Sequence, residues 1–163
     1  QLLMMGSEFG QPAEWNENKS LDWWLLDQGP FHRGAQRFVE DLNKFYRNEP
    51  ALWDGDFDLK GFYWIDCGDA DNSILSFMRQ NVDCTRQVAV IMNLTPVLRT
   101  NYRIGLPKSG FWKEALNTDA GIYAGSNQGN LGGVTAHEHK WHNQEFSAEI
   151  TLPPLSVVAF SWE

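Results

Sequence analysis

Residues 2–10 read Leu-Leu-Met-Met-Gly-Ser-Glu-Phe-Gly, four consecutive apolar side chains that stop at a glycine and give way to the carboxylate of Glu8. An unbroken apolar run without alternation fits a strand covered on both faces rather than one with a wet side. Such strands belong to parallel barrels and doubly wound sheets, whose functional polar groups follow the last apolar residue at the carboxyl end. No earlier stretch is available to pair with this one, and the sequence begins on Gln1 rather than methionine. The expectation is a barrel strand cut from something longer.

Residues 9–28 follow with neither helical nor strand periodicity, carrying Pro12, Glu14, Trp15, Asn16, Glu17, Asn18, Asp22, Trp23 and Trp24. A loop of this length is usually functional or disordered, and its aromatic content speaks against disorder. It reads as an ordered loop over the end of the strand. Glu8, Trp15, Asn16 and Asp22 are its candidates for facing a sugar. The competing reading makes Glu8 a paired structural carboxylate and the tryptophans packing plugs.

Next comes a helix signal. Gly29 precedes Pro30, whose fixed dihedral and missing amide hydrogen suit the first helical position. Phe31, Ala35, Phe38, Val39, Leu42, Phe45 and Tyr46 then form one broad apolar stripe. On the other face, Arg37 with Asp41 and Glu40 with Lys44 are pairs four apart, worth a few tenths of a kcal/mol each. Pro50 forbids continuation. Strand, loop and helix make one repeat of a β/α barrel, and one repeat cannot close a barrel.

From residue 57 onward the character changes to short strand candidates at 62–66, 74–79, 87–93, 101–105, 112–117, 133–137, 146–152 and 156–162. Regular spacing of this kind predicts an antiparallel β-sandwich or barrel. The clearest strand puts Phe146, Ala148, Ile150 and Leu152 on one face and Ser147, Glu149 and Thr151 on the other. Turns are expected at 69–72 and 81–83. The fold class is therefore mainly β: residues 1–52 as the last strand, loop and helix of a barrel, residues 53–163 as an all-β sandwich domain, joined through Asp54-Gly55-Asp56-Phe57-Asp58.

The 163 residues are enough to hide roughly two thirds of the unfolded surface. Thirteen basic against 21 acidic residues give a formal charge of -8, which argues against nucleic acid and anionic membrane partners. Apolar stretches are too short for a membrane span, and the start has no secretion signal. Cys67 and Cys84 read as free thiols in a reducing cytoplasm, with a single bridge between neighbouring strands as the alternative. The 8 Trp, 10 Phe and 4 Tyr suit a packed core, and equally the apolar faces of sugar rings.

Several motifs fail on context. Glycines 121, 125, 129, 132 and 133 tempt one to see a phosphate cradle, but no Gly-Lys-Ser/Thr and no helix pattern follow, so they read as a loop. His137, His139 and His142 have a spacing that a metal pair on one strand face would share, yet no cysteine or second shell supports it, and they read as polar side chains on an exposed edge. Neither a metal nor a cofactor is expected. There is no Gly-x-Ser-x-Gly elbow and no cysteine beside a plausible base. Glycosidic chemistry on the retaining path needs two carboxylates about 5 Å apart across the scissile bond. The companions of Glu8, namely Glu14, Glu17 and Asp22, all lie in its own loop, so the chain carries at most the rim of an active site.

The run from Leu2 to Gln11, then Glu14-Trp15-Asn16 and Ser20-Leu21-Asp22-Trp23, resembles the last barrel strand and following loop of bacterial 1,4-α-glucan (glycogen) branching enzymes of the α-amylase superfamily. The resemblance continues through Gln36-Arg37, Asp41-Leu42-Asn43, Glu49-Pro50-Ala51-Leu52, Asn93-Leu94-Thr95-Pro96-Val97, Tyr102-Arg103-Ile104-Gly105, Leu116-Asn117-Thr118-Asp119 and Leu152-Pro153-Pro154-Leu155. Met5 and Pro12-Ala13 depart from the family pattern, where phenylalanine and an arginine-like residue are commoner. The resemblance implies an enzyme that cleaves an α-1,4-glucan such as glycogen or amylose, holds the piece as a covalent glycosyl-enzyme and transfers it to a 6-hydroxyl. It also implies that the catalytic aspartate, glutamate and second aspartate lie on earlier barrel strands, none mapping onto this sequence.

Two readings compete. In one the chain is an inactive cytoplasmic fragment of such an enzyme, its sandwich supporting the missing barrel and touching glucan at a distance. In the other it is a free-standing carbohydrate-binding module with Trp53, Trp64, Trp112 or Trp141 as platform. A free module has no use for residues 2–5. Without barrel partners, residues 1–50 are expected to be partly disordered or to drive self-association.

Overall fold

The computed structural model describes residues 2–162. Gln1, at the head of the opening stretch, lies outside them, as does Glu163. One long helix, α1 (Pro30–Asn48), precedes eight strands: β1 (Phe62–Asp66), β2 (Ile74–Gln80), β3 (Gln87–Asn93), β4 (Arg99–Leu106), β5 (Gly110–Asn117), β6 (Gly133–Trp141), β7 (Gln144–Leu152) and β8 (Ser156–Trp162). All pairings are antiparallel, in the order β1-β2-β3-β8-β5-β6-β7-β4. The sheet curls over itself through β6, whose first residues pair with β5 and whose last pair with β7.

Inward-facing residues meet between the two layers thus made. Met78, Ile91, Ile104, Trp112, Ile150, Leu152, Val158 and Phe160 form the centre of the core. In β2 the alternation is complete, with Ile74, Ser76, Met78 and Gln80 buried and Leu75, Phe77 and Arg79 half-buried. The continuous apolar run in β3 has a different cause. Ala89 and Ile91 face the core, while Val88 packs outward on Ala51 and Ala159 beneath Phe45 of α1.

Helix α1 begins as its sequence requires, with Pro30 in its first turn, and ends just before Pro50. Its stripe divides. Phe45 covers the outer sheet face and Phe38 meets the ring of Tyr123 edge-on at 5.5 Å, whereas Phe31 stands 72% exposed. The Tyr123 hydroxyl donates to Asp41 Oδ2 at 3.1 Å, and Glu49, buried at the helix end, receives Arg86 at 2.7 Å. Among the described residues no helix is long and apolar enough to cross a membrane, and both cysteines are free.

The opening stretch forms no strand within this chain. Residues 2–4 carry no regular structure, Met5 and Gly6 form a turn, and Leu2 to Met5 are all exposed. A strand exists only through its neighbours, and no described strand pairs with this segment. Phe9 is fully buried, stacks on Trp23 at 5.0 Å, and its carbonyl accepts from His32 Nδ1 at 2.8 Å, so the loop is pinned to α1.

Candidate functional site

The opening loop presents its four candidates separately. Glu8 is turned back on its own segment, where its carboxylate accepts the Gly6 amide at 2.7 Å. Trp15 is 51% exposed, and Asn16 is exposed in a small turn whose Asn18 amide donates to its side chain. Asp22 is half-buried and its amide donates to Gln11 Oε1 at 2.8 Å. Gln11 also packs against Gly6, so it ties the Glu8 turn to Asp22. Sequence reading missed Gln11. A glutamine in an aperiodic loop carries no signal of its own until both ends of the loop are in place.

The four candidate tryptophans of the β region fare differently. Trp53 is 41% exposed and Trp64 50%, the latter on the outer sheet face beside Phe62 and Phe77. Trp112 is a correction. It is fully buried at the centre of the core, with its indole N–H donating to the Lys108 carbonyl, and offers no face to a sugar. Its position on β5, pointing between the layers, decides this.

Trp141 ends β6 at the tip of a two-residue hairpin, where His142 and Asn143 both adopt positive φ (47° and 58°). Turns of that hand match the twist of the flanking strands. The hairpin folds over β4. A Cβ added to Gly105 would stand 2.2 Å from the Trp141 carbonyl oxygen, so only glycine allows the approach. The Gly105 amide donates to His142 Nδ1 at 3.3 Å, which leaves the imidazole proton on Nε2, 3.5 Å from Asp66. Burial lowers the His142 pKa against the pull of Asp66 and Asp69.

Beside this hairpin the two terminal strands of the sheet, β1 and β4, approach without pairing. Side chains tie β4 to the loop between β1 and β2 instead. Arg99 donates to the side chain and carbonyl of Asn72, and the Tyr102 hydroxyl donates to Asp69 at 3.0 Å. Burial, followed by that carboxylate, pushes the Tyr102 phenol well up. A cleft of about 690 Å³ remains at this seam, walled by Trp141, His142, Asp66, Asp69, Asn101 and Arg103 among others. His137 and His139 are exposed, but on an interior strand and not the sheet edge expected for them, since β6 pairs with both β5 and β7; of the three, only His142 is partly buried. No group of three metal-ligating side chains occurs among the described residues.

Residues 64–163 match the family model of the alpha amylase C-terminal all-beta domain. The chain belongs to that family. The all-β family domain thus starts inside β1, and α1 with its loop precedes it. The chain is also similar along its whole length to longer proteins. It is 50% identical over 163 residues to the 1,4-alpha-glucan branching enzyme GlgB of Aquifex aeolicus, covering all of this chain and 26% of that one. The GlgB enzymes of Cereibacter sphaeroides and Rhodococcus jostii are 52% and 51% identical, over 97% and 100% of this chain and 21% and 22% of theirs. The chain thus spans about a quarter of the length of these relatives. A solved alpha-amylase from H.orenii matches 79% of this chain and 20% of its own, at 19% identity and a TM-score of 0.47.

Proposed function

We propose that this chain is the C-terminal part of a 1,4-α-glucan branching enzyme, which forms α-1,6 branches in glycogen by retaining glycosyl transfer. The observation that carries the reading is identity near 50% over alignments that take in nearly the whole chain, beyond the all-β domain alone. Residues 1–52 would complete the catalytic barrel with its last strand, loop and helix, and residues 53–163 would brace it. The acids that cut the donor chain would come from the remainder of the barrel. The work of this part is then positional, with Glu8, Trp15, Asn16 and Asp22 on the rim where glucan enters. Trp53, Trp64 and Trp141 are the exposed rings available for glucan away from that rim. A cytoplasmic setting suits both free thiols and a glycogen substrate.

The test is a chimera in which this chain replaces the matching quarter of the Aquifex aeolicus enzyme. An iodine–amylose assay is expected to show branching by the chimera and none by the 163-residue chain alone. A folded chimera that does not branch, or turnover by the chain alone, overturns the proposal.

A further inference from the structure

We propose that the cleft at the β1–β4 seam is a built subsite for an α-1,4-glucan chain, with Trp141 as the stacking platform and Asn101, Asp66 and Asp69 as partners for sugar hydroxyls. The proposal rests on the glucan reading above and narrows it to one place on the all-β domain.

The seam supplies the shape. A sheet that fails to close leaves its two terminal strands side by side, and the Arg99–Asn72 and Tyr102–Asp69 bonds tie β4 to the loop that follows β1. Trp141 supplies the face. Its ring is 44% exposed, and the strained pair His142–Asn143, the close approach at Gly105 and the Gly105–His142 hydrogen bond fix the hairpin that carries it. A platform held before the ligand arrives loses little freedom on binding.

The polar groups supply the ligand class. Arg103 is held by Ser147 and Glu149, so the cleft wall has no free positive charge to meet a phosphate or carboxylate. Asp69 is held by Asn72 and Tyr102, and Asp66 by the Gly68 amide beside His142, which leaves both carboxylates fixed but with lone pairs to spare. Asn101 is exposed at the bulge of β4 and has no hydrogen-bond partner among the described residues. A half-exposed tryptophan in a cleft wall that also carries fixed acceptors and one open amide suits a neutral polyhydroxyl ring, whose C–H groups would meet the indole while its hydroxyls donate at the rim.

The experiment titrates the 163-residue chain with maltoheptaose, following the indole N–H cross-peaks by NMR, with choline chloride as a cationic control. The Trp141 cross-peak, assigned through Trp141→Phe, is expected to shift with maltoheptaose and not with choline. Trp141→Ala is expected to weaken binding about tenfold or more, and Trp141→Phe, which keeps a ring, less. If Trp141→Ala binds as tightly as the parent while Trp64→Ala or Trp53→Ala loses binding, the cleft is refuted and the glucan reading stands. If the unaltered chain binds no maltoheptaose at millimolar concentration, both the cleft and glucan contact by this domain are refuted. A shift of Trp141 with choline alone also overturns the proposal.

Discussion

Gly34 and the carbonyl oxygen of Tyr123 lie so close that a Cβ at position 34 would stand 2.5 Å from that oxygen. The contact fixes how α1 sits on the loop after β5, and Phe38, Asp41 and Tyr123 extend it. Helix propensity alone says that Gly34→Ala stabilises by about 1 kcal/mol. The packing says the opposite, because a backbone carbonyl cannot swing aside as a side chain can. Gly34→Ala is expected to destabilise the chain by about 1–3 kcal/mol, as over-packing does, read as a lower urea midpoint.

The second joint between helix and sheet is electrostatic. Glu49 is buried, and its carboxylate receives both Arg86 and the Ala51 amide. Glu49→Ala removes one acceptor from two donors, and hydrogen bonds to a charged group contribute about 2 kcal/mol. The expected result is a loss of that size in urea denaturation at neutral pH. Arg37→Ala, whose bond to Asp41 lies on the surface, should cost less than about 1 kcal/mol in the same assay.

These joints also mark what the sequence could and could not reveal. Every strand of the β region was legible, since apolar alternation and turn residues are local signals, and the helix ends followed from Pro30 and Pro50. Residues 2–5 form no strand within this chain, because an apolar run reports a preference for burial while a strand also needs hydrogen-bonding neighbours. Trp112 was misjudged for a related reason: composition counts rings but does not say which way they point. The seam cleft was invisible. It arises from which strands end up at the sheet edges, and from a His142–Asn143 turn that lacks the usual glycine.

His142 makes the hairpin sensitive to acid. Burial depresses its folded pKa below the ordinary 6.5 while Asp66 and Asp69 oppose the shift. The unfolded chain therefore binds the proton first as pH falls. The His142 contribution to stability is complete above pH 6.5, declines below it, and levels off once the folded imidazole is also protonated. His142→Asn keeps a side chain tolerant of positive φ and an oxygen able to accept the Gly105 amide. Between pH 8 and pH 5, the urea midpoint of the parent should fall further than that of His142→Asn. Parallel curves would remove His142 as the titrating group.

The opening apolar run gives a test whose sign depends on context. In this chain Leu2, Leu3, Met4 and Met5 are exposed, so replacing all four with serine removes no buried surface and should leave thermal stability nearly unchanged. The same change should reduce self-association, which sedimentation velocity across a concentration series will report. In the chimera with the Aquifex aeolicus enzyme, the segment would regain barrel neighbours and become a buried strand. Burying a leucine or methionine side chain contributes about 1.5–3 kcal/mol, so four serines there should lower stability by several kcal/mol and reduce branching activity. Neutral substitution in the short chain together with severe loss in the chimera is the signature of a strand whose fold is completed by residues outside the chain. Equal and small effects in both would mean that residues 2–5 are a surface segment wherever they occur.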